Sequence, residues 1–384
     1  MAIFRFETII VGAGPGGLMA GRYLNDALIL EQKKEIGKPV RCAEGISREN
    51  LERQKIKPDK NWISAFIDTI QLISPSGKII KIGKKNIGFV LKRELFEKFL
   101  ASECRAEIKL KKKVVNVELE NNLWKVETED GEIFLSQYLI GADGHFSIVR
   151  EKIFKEKVEL LPAIEYLIEL EKEIDTSAMK IYFDQEKFPL GYAWIFPKGR
   201  KIANIGLGGE RNLRERLDYF LEEIVKKEFG NYRFLENRSW IIPRGGTKIK
   251  LFQDKAFLVG NAGGLVDPVF DGGINNAMVS GKIAAECILS KKPELYERKI
   301  KSLPLFNSNL LLAQKILYSF SNPVLNEIAE ILEKKGILYL KTIPALFEFL
   351  SKYHLRKNFF KILKLFLILE KNETKKGDKK RKNH

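Results

Sequence analysis

Residues 8–31, TIIVGAGPGGLMAGRYLNDALILE, place Gly12, Gly14 and Gly17 at G-x-G-x-x-G spacing directly after an apolar run, with Gly16 between them. A second apolar run, 27–30, ends on the acid Glu31. Strand, glycine turn, helix, strand and acid in this order form a dinucleotide-binding fingerprint. Each residue type has a physical task there. Gly12 permits the tight turn, Gly14 lets backbone approach a pyrophosphate, and Gly17 lets the helix pack close to the strand. The helix start directs N–H groups and partial positive charge at phosphates. Glu31 is placed to accept hydrogen bonds from ribose hydroxyls.

Four further segments carry residue types suited to chemistry. Residues 137–150 set Gly141-Ala142-Asp143-Gly144 after an apolar strand, with Arg150 beyond. Residues 256–281 set Gly260-Asn261-Ala262-Gly263 after another strand, then Pro268 and Gly272-Gly273 before a helix. Alone, each is a glycine turn; Gly272-Gly273 also offers a second place for backbone to approach a ligand. Residues 38–46 hold Arg41, Cys42, Ala43 and Gly45, and residues 191–208 hold Tyr192, Trp194, Phe196-Pro197 and Gly206-Leu207-Gly208. Alternate aromatic residues on a strand face one side, which suits a core or a tunnel wall equally. Cys42 on its own reads as a small packed residue.

The first fingerprint and the two later glycine blocks, in this order, resemble the FAD-dependent oxidoreductases of the p-hydroxybenzoate hydroxylase fold group over about residues 5–290. With the Arg41–Gly45 segment and the Y-x-W-x-F-P block, the chain resembles the geranylgeranyl reductase family, flavoenzymes that saturate isoprenoid chains. The resemblance implies FAD, with Gly12, Gly14, Gly16 and Gly17 at the pyrophosphate and Glu31 at the ribose. It implies Arg41 and Arg93 near phosphates, Val115 at the adenine, and Asp143 on the pyrophosphate and reductant side. Cys42, Ala43, Gly273 and Ile274 match positions lining the isoalloxazine, with Gly45 just after the first pair. Cys42 is then the candidate catalytic proton donor, and Tyr192, Trp194 and Phe196 the substrate tunnel. Asn261 stands where the family has an Asp that accepts from a ribityl hydroxyl; its amide oxygen is a neutral substitute.

The implied reaction is hydrogenation of a prenyl C=C on an isoprenoid lipid, with NADPH or ferredoxin as electron donor, since no second fingerprint is present. A flavin-dependent monooxygenase or halogenase on the same fold is one alternative, and a non-catalytic flavin or isoprenoid carrier another. Three scattered cysteines and His145, His354 and His384 give no disulfide framework, no metal site and no Ser-His-Asp chemistry. No signal segment and no run of ~20 apolar residues is read, so a cytoplasmic location is expected.

The elements that must position these residues follow an α/β plan. A Rossmann-like FAD-binding domain, 1–160 and 244–302, is split by a β-rich substrate domain at 161–243. A hairpin is expected at 68–82 and a helix at 93–106. Residues 303–370 form a C-terminal helical region. Residues 371–384 read as a basic disordered tail, carrying seven basic and two acidic residues of a chain with net charge +17. Before it, Lys357, Lys361 and Lys364 lie among Phe359, Phe360 and Leu365, as on a basic amphipathic helix. Either peripheral membrane association or a core-packed helix with a solvated lysine face accounts for that pattern. Nucleic acid is not expected, because the tail has no interleaved aromatics.

Overall fold

The two apolar runs of the fingerprint become neighbours in a parallel sheet. In the computed structural model, which describes residues 3–83, 85–244, 249–307, 309–337 and 342–381, strand Ile3–Val11 pairs with Ala27–Glu31 on one side and Ile133–Gly141 on the other. Glu107–Leu110 and Ala256–Leu258 extend the parallel order outward. Ile9, Ile10, Leu28, Ile29, Leu139 and Ile140 are wholly buried, as continuous apolar strands of a parallel sheet must be. An antiparallel hairpin, Val114–Glu120 and Leu123–Thr128, joins the same sheet through Ile133–Gly141. Helices Pro15–Gly21 and Ile274–Leu289 meet through glycines: a Cβ on Gly281 would lie 2.0 Å from the Gly16 carbonyl oxygen. This compact unit comprises Met1–Val40, Arg93–Leu160 and Ile242–Ser308.

The second unit comprises Arg41–Lys92, Leu161–Ile241 and Asn309–His384. Its seven-stranded sheet runs Tyr232–Pro243, Leu160–Leu170, Ile202–Gly208, Tyr192–Pro197, Ala178–Tyr182, Thr69–Ile73, Ile79–Ile82. Ala193, Ile195, Ala203, Ile205 and Leu207 pack against Leu217, Phe220, Leu221 and Val225 of the helical run that starts at Leu213. A second cluster joins Ile80, Ile181 and Phe183 to helices Asn309–Leu317, Asn322–Lys335, Ile343–Ser351 and Tyr353–Arg381. A small sheet of Gly45–Ser47, Gly88–Leu91 and Ile63–Ile67 completes the unit.

The division differs from the sequence expectation in three ways. Residues 41–92 belong to the second unit, because strand Thr69–Ile73 of the expected hairpin with Ile79–Ile82 pairs in parallel with Ala178–Tyr182. This moves Arg41, Cys42, Ala43 and Gly45 out of the fingerprint's unit. The helices after residue 303 are not a separate region, since they share one core with the seven-stranded sheet. The last helix, Tyr353–Arg381, continues into the segment read as a basic tail. Residues 382–384 lie outside the described residues.

Candidate active site

In the first unit the fingerprint glycines separate by what lies beside them. Gly12 has φ +102°, and a Cβ there would sit 2.5 Å from the Ala142 carbonyl oxygen. A Cβ on Gly17 would sit 2.0 Å from the Gly12 carbonyl oxygen, and one on Gly16 3.1 Å from Val259. These three make room for protein. A Cβ on Gly14 would meet no heavy atom within 4 Å, so this glycine keeps open space beside the start of the helix. Glu31 is buried and holds the turn from below: its Oε2 accepts the Ala13 N–H at 2.7 Å and its Oε1 the Lys33 N–H at 2.9 Å.

Neighbouring segments converge on this turn. The Lys112 N–H donates to the Glu31 carbonyl at 2.8 Å. Just beyond, the strand register slips between Val114 and Asn116, so Val115 bulges and is 40% exposed. A bulge frees backbone groups for a ligand. Arg93 opens helix Arg93–Ser102, and its Nε donates to the buried Glu97 at 2.6 Å. A Cβ on Gly37 would lie 2.7 Å from the Glu94 Cα, so the loop after Glu31 rests on that helix's first turn.

Asp143 follows Ala142, the residue that abuts Gly12. Its Oδ2 accepts the Val149 N–H at 3.2 Å, burial pushes its carboxyl up, and its Oδ1 is buried without a hydrogen-bond partner. Arg150 ties this loop to the next glycine turn by donating to the Ala262 carbonyl at 2.8 Å and the His145 carbonyl at 2.6 Å. In that turn the Asn261 Oδ1 lies 3.3 Å from where a Gly273 Cβ would be. Ile274 is buried, and Asn275 Oδ1 and Asn276 Nδ2 are buried without partners. Open space at Gly14 and orphaned polar atoms at Asp143, Asn275 and Asn276 fit a polar ligand of dinucleotide type. Asp271, beside Gly272, was missed by sequence reasoning. Burial, then the Asp267 carboxylate, pushes it up to about 7, against the pull of Arg244.

In the second unit Arg41 is exposed and Cys42 half-buried. The Glu44 N–H donates to the Cys42 Sγ at 3.1 Å. Glu44 is buried with φ 70°, and its carboxylate is held by Lys198 at 2.7 Å and Asn204 at 2.8 Å. A Cβ on Gly45 would lie 3.3 Å from the Phe196 ring, so Gly45 is placed against the aromatic strand. Tyr192, Trp194 and Phe196 alternate on one face, with centroids 5.9 Å and 6.5 Å apart in succession. The Trp194 indole N–H donates to the Glu165 Oε2 at 3.0 Å. A Cβ on Gly206 would sit 2.6 Å from the Trp194 ring, which explains the glycine one strand away. Glu44, Glu165, Lys198, Asn204 and Arg238 went unread, because no local pattern marks a charge that tertiary packing will bury. The residues expected around one flavin ring thus divide between units, with Gly273 and Ile274 in the first and Cys42 and Ala43 in the second.

A family model described as the geranylgeranyl reductase catalytic domain matches residues 160–247. The digeranylgeranylglycerophospholipid reductase of Methanocaldococcus jannaschii is 32% identical over 358 residues, 85% of this chain and 90% of that protein. Among solved structures, a geranylgeranyl bacteriochlorophyll reductase-like protein from Thermoplasma acidophilum superposes with a TM-score of 0.81 at 26% identity, covering 94% of this chain and all (100%) of that one. A flavin-dependent brominase shares the fold, with a TM-score of 0.65 at 16% identity over 98% of this chain and 99% of its own.

Proposed function

The chain belongs to the geranylgeranyl reductase family, and from that membership we propose that it saturates C=C bonds of geranylgeranyl chains on membrane lipids or their precursors, using FAD. It is a flavin-dependent oxidoreductase. The observation that carries the substrate class is the aromatic face of Tyr192, Trp194 and Phe196, which lies within the segment matched by the family's catalytic model.

FAD, when bound, supplies the hydride chemistry. The remaining tasks fall to the chain. Gly12, Gly14, Gly16 and Gly17 shape the pyrophosphate site, Glu31 meets the ribose, and the bulged Val115 backbone meets the adenine. Arg41 and Arg93 neutralise phosphate, Asp143 serves the pyrophosphate side, and Asn261 accepts from a ribityl hydroxyl. Gly45 and the backbone at Ala43, Gly273 and Ile274 give the ring its walls. Tyr192, Trp194 and Phe196 exclude water and align the prenyl chain. Cys42 holds the proton that the second alkene carbon takes. NADPH or a ferredoxin supplies electrons, and the protein works from the cytoplasm against the membrane surface that holds its lipid.

Mass spectrometry of lipids from cells making this protein together with a geranylgeranylated lipid tests the reading. Products gaining hydrogens in steps of two are expected; unchanged lipids would sink it. The purified protein should release FAD on denaturation. Gly14→Val should fold, because only open space surrounds that Cβ, yet lose the flavin. Full flavin occupancy in that variant would refute the pyrophosphate assignment.

A further inference from the structure

The second unit buries a set of charges that the reaction as described does not use. Arg238, Glu165, Asn204 and Trp194 stand on four successive strands of the seven-stranded sheet, and all four are buried. Arg238 Nη1 lies 3.3 Å from Glu165 Oε1, 3.4 Å from Glu44 Oε2 and 3.4 Å from Asn204 Oδ1. Its Nη2 donates to Glu236 at 2.7 Å. One guanidinium therefore bridges two buried acidic side chains.

Those two side chains have different neighbours. The other oxygen of Glu165 accepts the Trp194 indole N–H at 3.0 Å. Glu44 reaches Cys42 through its own backbone, whose N–H donates to the sulfur at 3.1 Å. Glu44 itself has φ 70°, a conformation L side chains rarely adopt. The carboxylate's anchors hold it there. A buried ion network is weak ground for stability, since apolar residues of similar volume often serve as well. Arg238 meets both acidic side chains from the single Nη1, while its Nε is buried without a hydrogen-bond partner, so one nitrogen links the two.

We propose that Arg238 is a positioning residue for the reaction: through Glu44 it fixes the Cys42 loop, and through Glu165 it fixes the Trp194 indole. One buried cation thereby sets both the proton-holding thiol and the wall that aligns the chain. The roles of Cys42 and Trp194 rest on the function proposed above.

The test is a pH titration of Cys42 alkylation in the flavin-loaded protein, read by mass spectrometry of the Cys42 peptide. A backbone N–H on the sulfur favours the thiolate. Arg238→Met should therefore move the Cys42 midpoint up by about one pH unit, and Arg238→Lys should recover part of that shift. If Arg238→Met fails to fold, Arg238→Lys decides, because it keeps the cation while losing the planar guanidinium; its midpoint should also rise, by less. An unmoved midpoint in the folded variant overturns the proposal. The titration needs no lipid. A moved midpoint in a protein that leaves prenyl chains unreduced would therefore retain the positioning of Cys42 and reject the proposed reaction instead.

Discussion

Gly206 shows how little space the aromatic face allows. A Cβ there would stand 2.5 Å from the Ile164 carbonyl oxygen as well as 2.6 Å from the Trp194 ring. Backbone on one side and a hydrogen-bonded indole on the other leave no easy relief, and overpacking of this kind costs about 1–3 kcal/mol. Gly206→Ala should lower the denaturation midpoint and raise KM for the lipid. Unchanged lipid kinetics would remove Trp194 from the substrate wall. Glu165 carries a second prediction. Burial, opposed by Arg238 and reinforced by Glu44, pushes its carboxyl from 4.5 to about 8. Between those values the folded chain keeps a proton that the unfolded chain has lost. Stability must then fall as pH rises through this window and level off above about 8. The slope is at most ~1.4 kcal/mol per pH unit. Glu165→Gln holds a neutral acceptor for Trp194 at every pH, so its denaturation midpoint should gain on the wild type steadily from pH ~5 to pH ~8. A constant difference across that range would mean Glu165 is already ionised in the folded protein.

At the scale of elements, the helix pair Pro15–Gly21 and Ile274–Leu289 is the joint on which the dinucleotide site depends. Gly281→Ala would drive a methyl to 2.0 Å from the Gly16 carbonyl oxygen, forcing the helices apart beneath the fingerprint turn. It should cost about 1–3 kcal/mol and lower flavin retention, measured as flavin per protein after gel filtration. Full retention would show that the turn is set by Glu31 alone. Each helix was legible because strand, glycine turn and helix are contiguous in sequence, and local order fixes local geometry; that the two helices pack on each other was not. The aromatic strand was legible for the same reason, since alternation of Tyr192, Trp194 and Phe196 reports a strand face directly. The neighbour of the 69–82 hairpin was not legible. Alternation identifies a strand but not its partner, and Thr69–Ile73 pairs with Ala178–Tyr182, far along the chain. The buried charges were hidden for a related reason. Glu165 follows an alternation that ordinarily points an acid at solvent, and only the strands beside it turn that face inward. The bulge at Val115 comes from register, which single residues do not announce.

For the whole molecule, the charge of +17 and the water-insoluble substrate bear on one question, how the protein meets its lipid. Among the described residues no helix is long and apolar enough to cross a membrane. The final helix packs one side on the core and leaves apolar residues exposed on the other. Leu355, Ile362, Leu365 and Ile368 pack inward on the second unit's core. Tyr353, Phe360, Leu363 and Leu367 remain exposed, Phe360 at 83%, with Lys357, Lys361 and Lys364 exposed along the same helix. Phe347 of helix Ile343–Ser351 is exposed as well, at 67%. Apolar side chains beside lysines suit an interface where rings enter the acyl boundary and ammonium groups stay among anionic headgroups. Each basic residue near such a surface contributes ~1 kcal/mol, and buried apolar area adds ~25 cal/mol per Å². The two contributions respond differently to salt, because screening within ~10 Å at 0.1 M weakens only the first. The protein should sediment with anionic vesicles at low salt and partly release at high salt. Deleting residues 371–384 should remove mainly the salt-sensitive part, and Phe360→Ser with Leu363→Ser mainly the salt-resistant part. The serine pair lies on the exposed side of the helix, so its denaturation midpoint should hold while binding falls. If neither salt nor the deletion changes vesicle binding, the lysines are a solvated end; if the serine pair changes nothing either, the lipid is reached by another face.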